Sequence, residues 1–464
     1  MPFEGGARAP AVPRQLVGLQ VTVMGLGLFG GGVETARWLA RQGARVRVTD
    51  LRTEGELSES LGALEGVELE FALGGHRLEH FTRADLVVAN PAVSPASPFL
   101  EAARAAGVPV TSEAELFLSA CPARLVLVTG TQGKSSTAQF AHQLLLASGA
   151  SAHLGGNIGR SLLADLERLG SEDVVVMELS SYQLEALSSA CAPRARVCAV
   201  GVVNVLADHL ERHGSIEAYE RAKRRILDLA AADTWVVLNA DDGRVGAWRV
   251  QTGRLMRYSV EGRAGCELRL EGDEFRWGDQ ALGSVSDVRV RARFQRSNIL
   301  CALGLALAGG ARPSTLPSAL GGLAGLEHRL QDLGFFAGHR VWDNGVSTTP
   351  DSTLSALLEL EGPLALLVGG QAKNLPLDEL VAAARGRVRR VVAFGGSGAA
   401  LAAAFCAGGV PAEAVRDVSA AVARAYDSME PGEALLFSPA AASFDAYRNF
   451  RDRARAFRAA LPRA

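Results

Sequence analysis

The sequence predicts an α/β protein of three doubly wound blocks with mostly parallel sheets, and three observations lead there. Apolar strand-like runs alternate with helical periodicity along the chain. Several of those runs end in glycine just before a helical stretch, as ligand-binding strand-to-helix turns do. The length, 464 residues, suggests about three domains at roughly 150 residues each. Hydrophobic residues make up 48% and charged residues 21% of the chain, a composition that excludes global disorder.

The first block is residues 1–112, opening with a Pro/Gly/Ala-rich stretch, Met1 to Gln15, read as a loose tail and not a signal peptide. LQVTVMGLG reads as a buried strand, GVETARWLARQG as a helix closed by glycine, and ARVRVTD as the next strand. ADLVVANPAV is a further strand ending in a Pro turn. The second block, 113–325, opens with ARLVLVTGTQGKSSTAQFAHQLLLASG, again strand, glycine-rich turn and helix. DVVVMELSS, ARVCAVGVVNV and TWVVLNADD continue as strands, with SIEAYERAKRRILDLAA helical between the last two. Residues 255–293 alternate polar and apolar and predict a small antiparallel appendage. SNILCALGLALAGG is a helix with small residues on its packing face. The third block, 326–464, alternates strands PLALLVGG, RVVAFGGSG and ALLFSPAA with Ala-rich helices. All three blocks are therefore Rossmann-like.

The formal net charge is −2, with no basic excess to neutralise a run of phosphates, so a dedicated nucleic-acid binder is excluded. No apolar run reaches the roughly 18 residues of a membrane span. The six cysteines (121, 191, 198, 266, 301, 406) show no CxxC pairing and read as thiols of a reducing cytoplasm. Of 48 basic residues only Lys134, Lys223 and Lys373 are lysine; the other 45 are arginine. A lysine kept against such a bias suggests work a guanidinium cannot do, since an amine is compact and can lose its proton.

The strongest motif is Thr129-Gly130-Thr131-Gln132-Gly133-Lys134-Ser135-Ser136, between an apolar strand and a helix. There, backbone N–H groups and the helix N-terminus cradle phosphates; Lys134 would reach the terminal phosphates and Ser135 would ligate Mg²⁺. Val128 stands where strict Walker spacing has glycine, so this is a variant P-loop and the second block a P-loop domain. Gly25-Leu26-Gly27-Leu28-Phe29-Gly30, with Asp50 ending the next strand, has the form of a dinucleotide fingerprint. It fits NAD or the diphosphate of another nucleotide, and also plain strand–helix packing. Glu178 closes the strand of VVVMELSS, and Asp208-His209 follows another strand end; beside Ser135 they are candidates for holding Mg²⁺. Lys223 lies among Arg212, Arg221, Arg224 and Arg225. A solvated helix face is the bland reading; a neutral amine that takes up CO₂ to become an anionic carbamate is the chemical one.

Together and in this order, these motifs resemble the Mur ligases of peptidoglycan synthesis, in particular the branch that joins glutamate to UDP-N-acetylmuramoyl-L-alanine. The resemblance spans nearly the whole chain: GLGLFG, TGTQGKSST, GGNIG (155–159), ELSSYQLE (178–185), DHLERHGS (208–215), YERAK (219–223), LNADD (238–242), EHRLQ (327–331), GGQAK (369–373) and LFSPAAASFDAYRNF (436–450). It implies an ATP-dependent amide ligase adding D-glutamate through an acyl phosphate, in the cytoplasm and as a monomer. It implies a catalytic set of Lys134, Glu178, His209 and Lys223. ATP would meet Gly130, Thr131, Gly133, Lys134, Ser135, Ser136, Asn298, Arg329 and Asp343. Two Mg²⁺ ions would be held by Ser135, Glu178, His209 and a carbamylated Lys223. The UDP-substrate would meet Gly27, Leu28, Phe29, Asp50, Arg52, Asn157, Ser180 and Gln183. Glutamate would meet Thr348, Lys373, Ser443, Phe444 and Phe450. All three lysines thus fall on family functional positions.

The chain also departs from the family. The stretch usually written Asn-Asp-Ser-Lys-Ala-Thr is Asp343-Asn344-Gly345-Val346-Ser347-Thr348, where Asp343 could serve by a one-residue shift; the customary His-Asn pair is Phe294-Gln295. Ser347-Thr348-Thr349-Pro350 resembles a branch that adds L-glutamate, which leaves the enantiomer open. Other readings are a folylpolyglutamate synthase-like ligase, which leaves the first block unexplained, and an NAD-dependent oxidoreductase, which leaves the P-loop unexplained.

Overall fold

The computed structural model describes residues 15–27, 31–157, 161–188, 191, 196–288, 294–372 and 375–462. Three sheets alternate with helices. The first holds β1 (Gln20–Met24), β2 (Arg45–Asp50), β3 (Glu70–Leu73), β4 (Leu86–Ala89) and β5 (Val110–Thr111) in the order β3-β2-β1-β4-β5, all parallel.

The second sheet holds β6 (Arg124–Thr129), β7 (Ala152–Gly156), β8 (Val174–Glu178), β9 (Val197–Val202), β10 (Trp235–Asn239), β11 (Arg254–Ser259), β12 (Leu268–Glu271), β13 (Glu274–Trp277) and β14 (Gln280–Ser284). Its order is β14-β13-β12-β11-β10-β9-β6-β8-β7, parallel from β7 to β12 and antiparallel at β13 and β14. The expected appendage is thus the edge of the main sheet, and it begins at Leu268, since β11 already pairs parallel with β10. Leu125–Val128 and Val174–Val176 are fully buried, as strands covered on both faces must be, hence their unbroken apolar runs. Helix Phe294–Ala308 presses small residues onto this sheet: a Cβ at Gly304 would lie 2.5 Å from Leu268 Cδ1.

The third sheet holds β15 (Gln331–Phe336), β16 (His339–Asp343), β17 (Leu364–Gly369), β18 (Val388–Phe394), β19 (Ala412–Val415) and β20 (Ala434–Phe437) in the order β15-β16-β20-β17-β18-β19, with only β15 antiparallel to its neighbour.

By packing the described residues form two compact units, one up to residue 288 with Gln295–Leu323, the other from Ala324 onward. The first unit contains both of the first two sheets. One continuous core runs from Val23 and Leu39 through Leu116, Phe117 and Leu118 to Leu125, Leu163 and Leu184. Helix Glu113–Ala120, which joins the two sheets, buries Glu115 to Leu118, and the Glu115 carboxylate accepts from the Ser188 N–H at 3.1 Å. Arg212 adds another tie, donating to the carbonyl of Val93 at 3.0 Å.

Candidate active site

The turn after β6 lies at the carboxyl edge of the second sheet. Gly133 caps helix Lys134–Ala147 with φ of 78°, and a Cβ there would sit 2.2 Å from Asn298 Oδ1, so Asn298 packs directly on the turn. Asn298, buried, donates to Gln295 Oε1 at 2.8 Å. Lys134 Nζ donates to the Thr131 carbonyl at 2.9 Å, and Ser135 and Ser136 are buried in the helix's first turn. Residues not foreseen shape the loop. Asn204 Oδ1 accepts from the Thr131 and Gln132 N–H groups at 3.0 and 2.9 Å. Asn239 Nδ2 donates to the Val203 carbonyl at 2.9 Å and Asp242 Oδ2 accepts from the Val205 N–H at 3.1 Å, fixing the segment that carries Asn204. The LNADD stretch (238–242) carries the last two.

Parallel register brings Glu178 alongside Val128, next to the same turn. Its carboxylate is buried; Oε1 accepts from Asn157 Nδ2 at 3.0 Å, whereas Oε2 has no hydrogen-bond partner among the described residues. A buried carboxylate oxygen left unpaired is costly, and a cation would relieve it. Lys223, from helix Ile216–Arg224, is 1% exposed. Its Nζ donates to the Gly130 carbonyl at 2.5 Å and lies 4.5 Å from the Tyr219 ring centroid. Burial, then the charge of Lys134, push its amine well below the usual range; Asp208 and Glu178 pull the other way. Tyr219, hydrogen-bonded to the Thr131 side chain, has its phenol pushed up to about 12 by burial.

His209 adopts φ of 50°, with Nδ1 3.3 Å from the Tyr182 hydroxyl and its ring 6.2 Å from that of Tyr219. Tyr219 therefore touches both His209 and Lys223. His213, unforeseen, packs beside it with Nε2 3.1 Å from Ser181 Oγ, and burial lowers its pKa. Among the described residues no group of three or more His, Cys, Asp and Glu side chains could hold a metal alone. A cation here would depend on Glu178 together with hydroxyl, lysine-derived or substrate oxygens.

Ser180 and Gln183 form a reciprocal cap on helix Ser181–Ala186: Ser180 Oγ accepts from the Gln183 N–H at 3.2 Å and Gln183 Oε1 from the Ser180 N–H at 2.9 Å. The Ser-x-x-Gln spacing carried that signal. In the first glycine-rich turn, Asp50 Oδ2 accepts from the Leu26 and Gly27 N–H groups at 2.9 and 3.3 Å, and Oδ1 from the Arg52 N–H at 2.9 Å. The Asp50 carboxylate is thus committed to shaping the loop. Close strand–helix approach falls on Gly32, where a Cβ would lie 2.2 Å from the Leu26 carbonyl. Leu28 and Phe29 lie outside the described residues.

In the second unit Arg329 sits between two residues of positive φ, His328 (63°) and Leu330 (44°). The turn is clamped. Asp343, fully buried, bonds His328 Nδ1 at 2.7 Å, Arg458 Nε at 2.7 Å and the Gly345 N–H at 2.9 Å. Asn344 Oδ1 accepts from the Leu330 N–H at 3.1 Å and its Nδ2 donates to Ser438 at 2.9 Å. Asp343, expected to touch ATP, is thereby tied to His328 and Arg458 around the Arg329 turn. Thr348 follows β16 and Ser443 follows β20, both past carboxyl strand ends; Ser443 is buried and Phe444 is exposed. Phe450 opens helix Phe450–Ala460, capped by Asn449. Lys373 lies outside the described residues.

Residues 128–306 match the Mur ligase middle-domain family model, and 19–112 match the Mur ligase MurD-like N-terminal domain model. A relative from Roseiflexus sp. (strain RS-1), named UDP-N-acetylmuramoylalanine–D-glutamate ligase, is 36% identical over 96% of this chain and 98% of its own. One of the same name from Myxococcus xanthus is 34% identical over 94% of this chain and 97% of its own. Among solved structures, the UDP-N-acetylmuramate-alanine ligase MurC of Thermotoga maritima superposes with a TM-score of 0.57 over 95% of this chain and 98% of that one, at 18% identity. A pseudomurein peptide ligase type C from Methanothermus fervidus gives 0.54 over 91% and 97%, at 16% identity, so these two share the fold. With near-full-length relatives above 30% identity and both models matched in order, the chain belongs to the Mur ligase family.

Proposed function

We propose that the chain is an ATP-dependent ligase that joins D-glutamate to UDP-N-acetylmuramoyl-L-alanine, the reaction named for its relatives from Roseiflexus and Myxococcus. The observation that carries this reading is the convergence of Lys134, Glu178 and Lys223 on one glycine-rich turn. In it, Gly130, Thr131, Gly133, Ser135 and Ser136 receive the ATP phosphates with Lys134 as the charge partner of the transferred phosphoryl group, and Asn298 shapes the turn. The substrate carboxylate attacks the γ-phosphorus, ADP leaves, and an acyl phosphate results. The amine of glutamate then attacks the acyl carbon, giving a tetrahedral intermediate that expels phosphate and loses a proton to leave the amide.

Glu178, with its unpaired buried oxygen, fits a divalent cation together with Ser135. His209 and Lys223 are the proposed holders of a second. Mg²⁺, when bound, neutralises phosphate charge. Lys223 suits a carbamate because its amine is buried and shifted toward the neutral form: the amine adds to CO₂, loses a proton and becomes an anion. Asn157, Ser180, Gln183, Gly27 and Arg52 are proposed for the UDP-substrate, with Asp50 acting through the loop it holds. Arg329 is proposed for the nucleotide, with Asp343 holding its turn. Thr348, Lys373, Ser443, Phe444 and Phe450 are proposed for glutamate. The work divides over three domains, 1–112, 113–325 and 326–464, in a cytoplasmic monomer.

The test supplies UDP-N-acetylmuramoyl-L-alanine, ATP, Mg²⁺ and each glutamate enantiomer separately, and follows ADP and product mass. ADP release that needs both acceptor and D-glutamate is expected. Turnover with L-glutamate alone would move the chain to an L-adding ligase, and release with neither would overturn the proposal.

A further inference from the structure

Arg212, from the short helix Leu210–His213, reaches groups of both sheets in the first unit. Its Nη2 donates to the Val93 carbonyl at 3.0 Å and to Glu185 Oε2 at 3.4 Å, and its Nη1 reaches the Ala92 carbonyl at 3.5 Å. The guanidinium also stands 5.0 Å from the Tyr182 ring centroid. A planar fork of five donors spans two carbonyls and a carboxylate at once, which an amine does not.

Each end of this bridge leads to a turn that the ligase reading uses. On the first sheet, Ala92 and Val93 belong to the loop after β4, which folds back on Asn90: Asn90 Oδ1 accepts from the Ala92 N–H at 3.0 Å and the Asn90 carbonyl from the Val93 N–H at 2.9 Å. Asn90 lies against the first glycine-rich turn. Its Nδ2 donates to the Gly25 carbonyl at 3.4 Å, and a Cβ at Gly27 would stand 3.4 Å from the same Nδ2. On the second sheet, the Arg212 N–H donates to the His209 carbonyl at 3.1 Å, and the Tyr182 hydroxyl is 3.3 Å from His209 Nδ1. One side chain thus joins the turn proposed for the UDP-substrate to the residue proposed for a cation beside the phosphates. The sheets do not need it to stay together, because the core through Leu116, Phe117 and Leu118 and the Glu115–Ser188 bond already join them. What Arg212 adds is the register of one loop against the other.

We propose that Arg212 is a positioning residue: it sets the distance between the turn that anchors the UDP end of the substrate and the turn where the phosphoryl group is transferred, so that the substrate carboxylate arrives in line with the γ-phosphorus. It acts through the Ala92–Val93 loop and the His209 turn, not by touching substrate. Reacting atoms must stand about 3–3.5 Å apart, and a misplacement of about 1 Å costs on the order of 10²-fold in rate. The proposal rests on the ligase reading above.

The experiment uses the full-length enzyme and the variants Arg212→Met and Arg212→Lys. Calorimetric titration with UDP alone counts the folded sites, and turnover is expressed per titrated site, so a loss of folded protein does not register. ADP release in wild type that does not need the UDP-substrate would fail the ligase reading, not this inference. Arg212→Met keeps the length of the side chain without its donors. Its kcat per site should fall at least tenfold. Its Kd for UDP should stay within twofold, since Asn90 holds the first loop, and so should its KM for ATP, since Asn204 holds the second. Arg212→Lys, which keeps the charge and spans fewer acceptors, should lose less. If Arg212→Met does not fold, Arg212→Lys decides, with a loss of at least threefold per site expected. An unchanged kcat per site would leave Arg212 a plain tie and overturn the proposal. A Kd for UDP raised as much as kcat falls, or a kcat restored by excess Mg²⁺, would overturn it too, placing the effect at the UDP site or at His209 alone.

Discussion

The first unit contains two glycine-rich strand-to-helix turns that look alike in sequence and differ in charge. In the turn before helix Gly31–Arg41, the amides of Leu26 and Gly27 are held by a carboxylate, that of Asp50. In the turn before helix Lys134–Ala147, the amides of Thr131 and Gln132 are held by a neutral amide oxygen, that of Asn204. Lys134 and Lys223 then add two amines at the second turn. Each clamp does the same mechanical work, holding a loop through its backbone N–H groups. The charges of the two clamps differ. A carboxylate at the amides adds negative charge beside a phosphate, whereas a neutral amide there adds none. What separates the turns is therefore the residue brought in from a neighbouring strand of the sheet, more than the glycine spacing.

Removing an amine from the second turn should break this contrast most. Lys134→Ala should lower ligase turnover by roughly 10²–10³-fold or more, since a preorganised charge at the transferred phosphoryl group is lost. Lys134→Arg should also fail, because a planar fork does not replace a point charge in a backbone cradle. Near-normal turnover of the Arg variant, measured as ADP release, would remove Lys134 from its proposed role.

Lys223 comes next. If it works as a carbamate, Lys223→Ala should be nearly inactive yet regain activity in formate or acetate, and Lys223→Arg should be inactive without rescue. A solvated-charge role predicts Arg harmless and Ala mild. The rescue titration, read as turnover against added carboxylate, separates the two; a fully active Arg variant would falsify the carbamate.

The largely buried strands were legible, because their apolar runs need no context: β1, β4, β6, β8, β9, β10, β17, β18 and β20 coincide with such runs, and β2 with the alternating run RVRVTD. β3, β15 and β19 were not, since Glu70 and Phe71, Asp332 and Phe335, and Glu413 and Ala414 face solvent at sheet edges and interrupt the apolar signal. Within the site, the P-loop and Glu178 were legible because glycine spacing and strand ends are local. Asn204, Asn239 and Asp242 were not, because each acts on a backbone it meets only in the folded protein. Asp50 shows the same limit from the other side: the pattern marked it as a ligand contact, and the fold gives both its oxygens to backbone amides.

The contrast can be sharpened by exchanging the clamps. Asn204→Asp keeps the shape and the acceptor and gives the second turn the first turn's charge. Charge-assisted hydrogen bonds to the Thr131 and Gln132 amides should hold the loop at least as firmly, so thermal stability should not fall. The KM for ATP should nevertheless rise roughly tenfold, since a charge at about 5 Å and an effective dielectric near 20 is worth about 3 kcal/mol before screening. Stability retained with ATP affinity lost is the expected pair; an unchanged KM for ATP would mean that the field at the turn does not depend on its clamp.

The reciprocal exchange, Asp50→Asn, has the smallest expected effect and decides the role of Asp50. An amide side chain has one acceptor oxygen where the carboxylate has two, so it can hold the Leu26 and Gly27 amides or the Arg52 amide, not both sets. The lost bond should cost about 1–2 kcal/mol, read as a fall in melting temperature of a few degrees. On the KM for the UDP-substrate the two readings differ in sign. A carboxylate that binds a sugar hydroxyl directly would, when neutralised, raise that KM by roughly tenfold, the worth of a charged hydrogen bond. A carboxylate already committed to backbone amides only adds negative charge beside the bound diphosphate. Its neutralisation should leave the KM within about threefold and push it downward, most visibly at low ionic strength, where screening is weakest. A KM that rises tenfold in Asp50→Asn while the melting temperature stays put would return Asp50 to the ligand and show that the loop keeps its shape without it.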